Sequence, residues 1–161
     1  MRQVTIDVRG IPRPQGSVRP YITPGGHAAV RNPDNVWRWR HQVQAAVAAA
    51  MAPTGPFQGP IELHLGFELP RPQSHFGTGV NAGTIKASAP SRPAAKKDDL
   101  DKLVRAVCDA CTDGGAWEDD GQVVTLMAAK RYGTPGVRIV ISELETQPDL
   151  YPGESYQEAL L

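Results

Sequence analysis

A run of nine residues between two prolines constrains the fold of this chain more than any other feature. From Ile61 to Leu69, apolar residues alternate strictly with polar residues or glycine, and Pro60 and Pro70 bracket the run. Because successive side chains of a β-strand point to opposite faces, this alternation predicts a strand with one buried face. A sheet that is apolar on one face needs a second layer to cover it.

A first helix is predicted over about residues 35–52. Asp34 follows Pro33 as a candidate cap, and Pro53 stops the pattern. The apolar residues that recur at helical spacing are Val36, Trp39, Val43, Val47 and Ala50.

A second amphipathic helix is predicted to begin near Leu100 and to end near Gly114 and Gly115. Its opposite face carries Asp101, Lys102, Arg105 and Asp109.

The remaining strands follow from shorter alternating runs. The resulting order βαβαββ predicts an α+β fold, a two-layer mixed sheet of about four strands with two main helices on one face. A small hairpin is also expected inside the Pro- and Gly-rich loop after the first strand. The predicted strands are Val4–Val8, 61–69, 123–132 and 137–144, the last two joined as a hairpin, and the small hairpin pairs 18–22 with 28–30.

Length and composition predict one globular domain. The chain has 161 residues, of which 40% are hydrophobic, and only two cysteines. Its longest run of small apolar residues, Ala45–Ala52, is far shorter than the roughly 18 residues of a membrane span, and the N-terminus has no signal-peptide pattern. We therefore expect a cytoplasmic protein whose domain covers residues 1–144, followed by an acidic, disordered tail at 145–161.

The charges sum to zero but are sorted along the chain. Residues 1–45 hold seven arginines against two aspartates, and five basic residues but no acid lie between Glu68 and Asp98. Residues 98–120 hold eight acids against two bases. A solvated face is the ordinary interpretation of such runs. An acidic centre in a basic molecule also suits a cation site that works beside nucleic acid.

Two carboxylates stand where the second helix begins. Side chains two residues apart on a helix diverge by about 200°, so Asp99 and Asp101 can meet one ion only if Asp99 is a cap outside the helix. The positive end of the helix dipole favours ionised carboxylates there, as a hard divalent cation requires. Capping alone explains such residues equally well.

A third carboxylate lies in the run Trp117–Gly121, just before the next strand. Adjacent strand residues point to opposite faces, and Asp120 shares its parity with Val124 and Leu126, which are expected to face the second helix. We therefore choose Asp120 over Asp119, although a simple turn also explains the pair. Asp99, Asp101 and Asp120 together would form an oxygen-rich site typical of Mg²⁺.

Arg105 lies one helical turn after Asp101. Its guanidinium could offset charge on a phosphoryl oxygen, and a salt bridge to Asp101 is the structural alternative. Cys108 and Cys111 form a single CxxC on the apolar face, which favours buried thiols over zinc. GxGxxG, P-loop, HExxH and GxSxG motifs are absent, which argues against the common dinucleotide, nucleotide, zinc-protease and serine-hydrolase functions.

The run Lys97–Ala110, followed by Trp117–Val123, resembles the signature of the RusA family of Holliday junction resolvases. It has a DxDNL-like start, an Asp-Ala pair one helix later and a WxDDxQV run before the next strand. The resemblance implies a small dimeric α/β nuclease, found in bacteria and often in phages or prophages. Such an enzyme needs Mg²⁺ and cuts paired strands of a four-way DNA junction. It also implies that the metal-binding aspartates are Asp99, Asp101 and Asp120.

This sequence departs from the family pattern at three positions. Lys102 stands where the family has Asn, Arg105 where it often has Lys, and Asp98 where it commonly has Pro. If the family lysine acts by charge, Arg105 can replace it, whereas Arg105 would be a poor proton donor. The segment 71–97 is longer than compact members need, and we expect it to be a mobile basic loop of the nuclease domain.

The sequence therefore predicts an Mg²⁺-dependent endonuclease that acts on branched DNA as a homodimer, with one site per subunit for paired nicks. Asp99, Asp101 and Asp120 would hold the ion, and Arg105 would stabilise the charge of the reacting phosphate. Arg13, Arg19 and Lys97 would contact the DNA backbone. The alternatives are a junction-binding structural protein without turnover and a Ca²⁺-stabilised domain unrelated to DNA.

Overall fold

A computed structural model describes residues 1–16, 20–30, 33–94 and 98–144. It contains two helices and six strands over those ranges, with three short 3₁₀ turns. In chain order the elements are β1 Gln3–Arg9, β2 Pro20–Ile22, β3 Ala28–Val30, α1 Asp34–Met51, β4 Ile61–Leu69, α2 Leu100–Asp113, β5 Val123–Tyr132 and β6 Gly136–Glu143, and the 3₁₀ turns are Gln73–His75, Gly79–Asn81 and Asp120–Gln122.

The main sheet has the strand order β1-β6-β4-β5. β4 runs parallel to β5 and antiparallel to β6, which in turn pairs antiparallel with β1. Alternate residues of β4, among them Leu63, Leu65 and Phe67, are at most 2% exposed because they form the core together with α1 and α2. The two-layer α+β fold and the strand over 61–69 are confirmed.

The predicted hairpin of the last two strands is wrong. β4 lies between β5 and β6, so those two strands do not pair. The connection crosses the end of β4, where the Gly133 N–H donates a hydrogen bond to the Leu69 carbonyl at 3.0 Å. Three connecting residues suffice, because neighbouring strands are about 4.8 Å apart and each residue spans about 3.3 Å. Alternation therefore predicted the strands but not their neighbours.

The observed ends of both helices lie within one residue of their predicted positions, but one of the two predicted N-caps is wrong. α1 begins at Asp34 itself and Pro33 occupies the N-cap position, so the prediction of Asp34 as the cap is wrong. Asp99 does occupy the N-cap position of α2, as predicted. That position places its carboxylate outside the first helical turn, beside Asp101.

Strands β2 and β3 form the expected small hairpin, with Tyr21 opposite Ala29. Residues 17–19 of its first arm lie outside the described residues.

The segment 71–94 carries local hydrogen-bonded structure. Arg71 stacks over the ring of Tyr132 at 4.2 Å and donates to the Pro90 carbonyl at 2.8 Å. Lys86 donates to the Ser74 carbonyl at 2.9 Å. Two basic side chains of this loop are therefore bonded within the protein. Residues 95–97 of the loop and the predicted tail 145–161 lie outside the described residues.

Neither helix of the described chain combines the length and the apolar character that crossing a membrane requires.

Candidate functional site

The first turn of α2 presents the two carboxylates predicted there. The Asp99 side chain makes no capping bond to the helix backbone and accepts instead from Lys102 Nζ at 2.5 Å. This hydrogen bond lowers the pKa of Asp99 below its ordinary value, more than desolvation raises it. Asp99 is therefore held in the charged form that a cation requires.

Asp101 and Arg105 are both exposed on α2, one helical turn apart. In the described part of the chain no ion pair joins them, and neither side chain has a hydrogen-bond partner there. The salt bridge considered as an alternative for Arg105 is thus not formed. Both groups are available to a ligand without first breaking an internal contact.

Asp120 lies at the opposite end of α2. Its Oδ1 accepts from the Thr112 hydroxyl at 2.6 Å and from the Trp117 indole N–H at 3.0 Å. Trp117 is buried, so its N–H needs an acceptor from the protein. These two donors fix Asp120 against the last turns of the helix.

The strand argument used to choose Asp120 is wrong. Asp120 belongs to the 3₁₀ turn before β5, and Asp119 caps that turn by accepting from the Gly121 N–H at 2.7 Å. A bulge opposite Ile61 and Glu62 then shifts the register of β5. Leu126 then pairs with the buried Leu63, on the face of the sheet that carries the helices, but Val124 and Leu126 are still 59% and 47% exposed.

A partly buried polar network that the sequence did not predict occupies the C-terminal half of α2. Arg40 of α1 forms ion pairs with Asp109 at 3.5 Å and Asp113 at 2.6 Å. Gln15, only 4% exposed, donates to Asp109 at 2.6 Å and accepts from Arg40 at 3.3 Å. These contacts join residues that are distant in the sequence. The only sequence feature that marked the network was therefore Asp109, in the Asp-Ala pair of the α2 motif.

A shallow cleft of about 200 Å³ lies over this network. Thr112 and Asp120 form part of its wall beside the Arg40 ion pairs. The cleft is therefore acidic in composition, but one guanidinium and several donors already occupy its carboxylates.

Comparison with known protein families identifies the family to which the chain belongs. The family model described as Endodeoxyribonuclease RusA matches residues 12–142. The chain belongs to the RusA family. No curated protein matches the chain. Membership makes the protein an endodeoxyribonuclease of a family that acts on branched DNA junctions, and it supports the function inferred from the α2 motif.

RusA resolvases generally depend on a divalent metal, so we asked whether one chain can hold such an ion with the three aspartates. Thr112, which binds Asp120, lies eleven residues after Asp101, or about 16 Å along the helix axis at 1.5 Å per residue. Among the described residues no three His, Cys, Asp or Glu side chains are grouped as metal ligands. A single RusA chain therefore does not fit an ion held by all three.

The basic residues assigned to DNA are only partly described. Arg13 is half-buried and lies two residues before Gln15, whose backbone N–H donates to the Lys102 carbonyl at 3.0 Å. The chain around Arg13 therefore runs beside the first turns of α2. Arg19 and Lys97 lie outside the described residues.

Lys130 of β5 adds a cation at the start of α2 that the sequence did not predict. Its Nζ donates to the Asp98 carbonyl at 2.5 Å.

The two cysteines lie on the face of α2 that packs into the core. Burial, with a smaller contribution from the nearby Asp120 and Asp109 carboxylates, raises the pKa of Cys108 to about 12. Cys111 is fully buried, and burial raises its pKa well above the ordinary value. Both are therefore neutral thiols packed against the core, as the single CxxC suggested.

Proposed function

We propose that this RusA-family protein is an Mg²⁺-dependent Holliday junction resolvase that cuts paired strands of four-way DNA as a homodimer. The observation that carries the proposal is the start of α2. There an ionised Asp99 lies on the surface with Asp101 and Arg105, neither of which is paired with another of the described residues. A surface that binds and cuts a phosphodiester needs both ligand oxygens and a free cation.

Magnesium is the proposed ion because hard carboxylate oxygens are its preferred protein ligands. Asp99, Asp101 and Asp120 are the proposed ligands, and Asp99 is kept charged by Lys102. Arg105 is proposed to stabilise negative charge on the reacting phosphate. A guanidinium stays protonated at every working pH, so its contribution is electrostatic and not proton transfer.

The DNA backbone is proposed to follow Arg13, Arg19 and Lys97 toward the start of α2. Contacts between such residues and phosphates release counterions, so binding should weaken steeply as salt rises. A junction has two-fold symmetry, and a dimer with one site per subunit would match it with two symmetric nicks. We further propose that the protein is encoded by a phage or prophage and that it acts on DNA in the cytoplasm.

A junction-binding protein without turnover is the second candidate function. The observation that favours it is the Lys102 to Asp99 ion pair, because an ammonium group occupies one of the proposed ligand oxygens. In that case the α2 surface would bind phosphate through Lys102 and Arg105 without cutting it.

Cleavage and binding assays on one synthetic four-way junction separate the two functions. We expect Asp101→Asn to bind the junction in a gel-shift assay with Mg²⁺ but to lose more than about 100-fold in cutting rate, the size of loss typical when a charge-stabilising group is removed. Asp98→Asn is the matched control, because it removes the neighbouring carboxylate and should cut normally. Undiminished cutting by Asp101→Asn would exclude that residue as a ligand.

A further inference from the structure

The small hairpin of β2 and β3 projects from the core. Its two strands pack mainly on each other, and among residues 21–28 only Thr23 is partly buried. Tyr21 and Ile22 are 47% and 70% exposed, and as neighbours on one strand they point to opposite faces of the hairpin. A hairpin laid against the body of the protein would bury one of these faces. Within the described chain both faces remain uncovered.

Local hydrogen bonds close the tip of the hairpin. The Thr23 N–H donates to the His27 carbonyl at 2.9 Å, and the Gly26 N–H donates to the Thr23 carbonyl at 2.8 Å. The Thr23 hydroxyl accepts from the His27 N–H at 3.1 Å. Because isolated two-stranded hairpins are only marginally stable, these bonds help to preserve the turn where it projects from the core.

Hydrogen bonds anchor the chain on both sides of the hairpin to the two helices. Before it, the Gln15 N–H donates to the Lys102 carbonyl in the first turn of α2. After it, the Pro33 carbonyl accepts from two N–H groups in the first turn of α1. Gln15 and Pro20, the first residue of β2, are five residues apart, which is at most about 17 Å of chain. At about 3.4 Å per base pair, the base of the hairpin is therefore within about five base pairs of the proposed cutting surface.

The sequence around the hairpin is strongly basic. Residues 11–41 contain five arginines and one aspartate. Arg40 is used by its ion pairs to α2, but the other four arginines still outnumber the aspartate. This excess of positive charge favours phosphate groups as the partner. Trp37, in the first turn of α1, adds a further apolar side chain that is 57% exposed, with its ring centre 4.0 Å from that of His41.

A junction and a linear duplex differ in the bases that they expose and not in their phosphates. Arginine contacts with phosphates are available on both DNAs, so these contacts do not by themselves select a junction. At the branch point the stacking of base pairs is interrupted, and apolar side chains can contact the exposed base faces. An element with an apolar side chain on each of two faces can contact two such base pairs at once. The hairpin has that form, with Tyr21 on one face and Ile22 on the other.

We propose that the β2–β3 hairpin recognises the branch point by inserting between two arms of the junction. Tyr21 and Ile22 contact the terminal base pairs of those arms, while the arginines around the hairpin bind the neighbouring phosphates. This inference rests on the proposed function, since it assigns the preference for branched DNA to a surface separate from the carboxylates of α2.

Binding assays without a divalent metal test the hairpin separately from cutting. A double variant, Tyr21→Ser with Ile22→Ser, removes both apolar side chains, and because they are exposed the variant should fold as the wild type does. We expect its affinity for a four-way junction to fall by about 10-fold or more, as when a stacked base loses its aromatic or apolar contact. Its affinity for linear duplex of the same sequence should stay within about twofold of the wild-type value, since the phosphate contacts remain.

Two single variants are the matched controls. Val80→Ser removes a fully exposed apolar side chain from the 71–94 loop and should change neither affinity. Arg38→Ala removes an exposed cation of α1 and should weaken binding to junction and duplex by a similar factor, because both DNAs carry phosphates. A loss confined to the junction in Arg38→Ala would contradict the assignment of branch recognition to the apolar side chains.

The ratio of junction affinity to duplex affinity decides the proposal. If the wild type prefers the junction and the double variant keeps that preference, the hairpin inference is wrong and the proposed function stands. Equal losses on both DNAs would also overturn it, since they indicate a general DNA contact. A double variant that keeps the preference but sediments as a smaller species would mean that the hairpin contacts a second copy instead. If the wild type prefers junctions but never cuts them, loss of the preference in the double variant would still support the inference while the proposed function fails.

Discussion

The two ends of α2 carry similar numbers of carboxylates but differ in how many donors of the described chain are bonded to them. At the first turn, Asp101 has no partner in the described chain and Asp99 is bonded to the half-buried Lys102. At the other end, Asp109 and Asp113 in the last turns pair with Arg40 of α1, and Asp120, just after the helix, accepts from Thr112 and Trp117.

The difference separates residues that hold the fold from residues that are open to a ligand. A carboxylate already bonded to a buried donor can leave it only at a cost in free energy, because the donor would remain unsatisfied. An exposed carboxylate with no partner pays no such cost. At the start of α2 the proposed ion and phosphate would therefore displace the fewest internal contacts, while the Asp109 and Asp113 ion pairs to Arg40 hold α2 against α1.

Of the stability changes predicted here, the loss caused by replacing Arg40 should be the largest. Arg40→Ala leaves the half-buried Asp109 and the exposed Asp113 without their cation and the buried Gln15 without one partner. We expect a loss of about 2 kcal/mol in the free energy of unfolding, measured with urea. Arg105→Ala is the matched control and should change stability by less than about 0.5 kcal/mol, since that exposed side chain is bonded to none of the described residues. Equal losses for both variants would contradict the division between the two ends.

A smaller effect is expected when Lys102 is replaced. Lys102→Met removes the hydrogen bond that lowers the Asp99 pKa, so that pKa should rise toward its ordinary value, as followed by NMR titration. A lowered folded-state pKa stabilises the protein above the unfolded-state pKa, and this contribution is lost as the pH falls through the folded-state value. The variant should therefore show a weaker acid destabilisation in that window. An unchanged Asp99 pKa would mean that Lys102 does not control it.

Features set by local sequence were predictable, and features set by distant contacts were not. The β4 strand and the position of Asp99 at the start of α2 followed from alternation, helical spacing and the placement of prolines. Which strand pairs with β5 depends on the position that β4 takes in the sheet, and no local sequence pattern determines that position. Local runs thus give the elements and their ends but leave the pairing of strands open.

The candidate site shows the same limit. Asp99, Asp101 and Arg105 could be placed because they share one helix with a recognisable start. Asp120 was correctly placed before the strand, but the strand parity used to choose it does not apply, since a 3₁₀ turn and a bulge replace the regular alternation there. The Arg40 network could not be predicted because its partners are about seventy residues apart.

Cleavage specificity measures the proposed junction-resolving activity itself. Wild-type protein is incubated with a four-way junction and, separately, with linear duplex of the same sequence, across a titration of Mg²⁺. We predict paired, symmetric nicks in the junction that depend on the ion, with the linear duplex left intact. Equal cutting of both substrates, or junction cutting that persists after the metal is chelated, would contradict it.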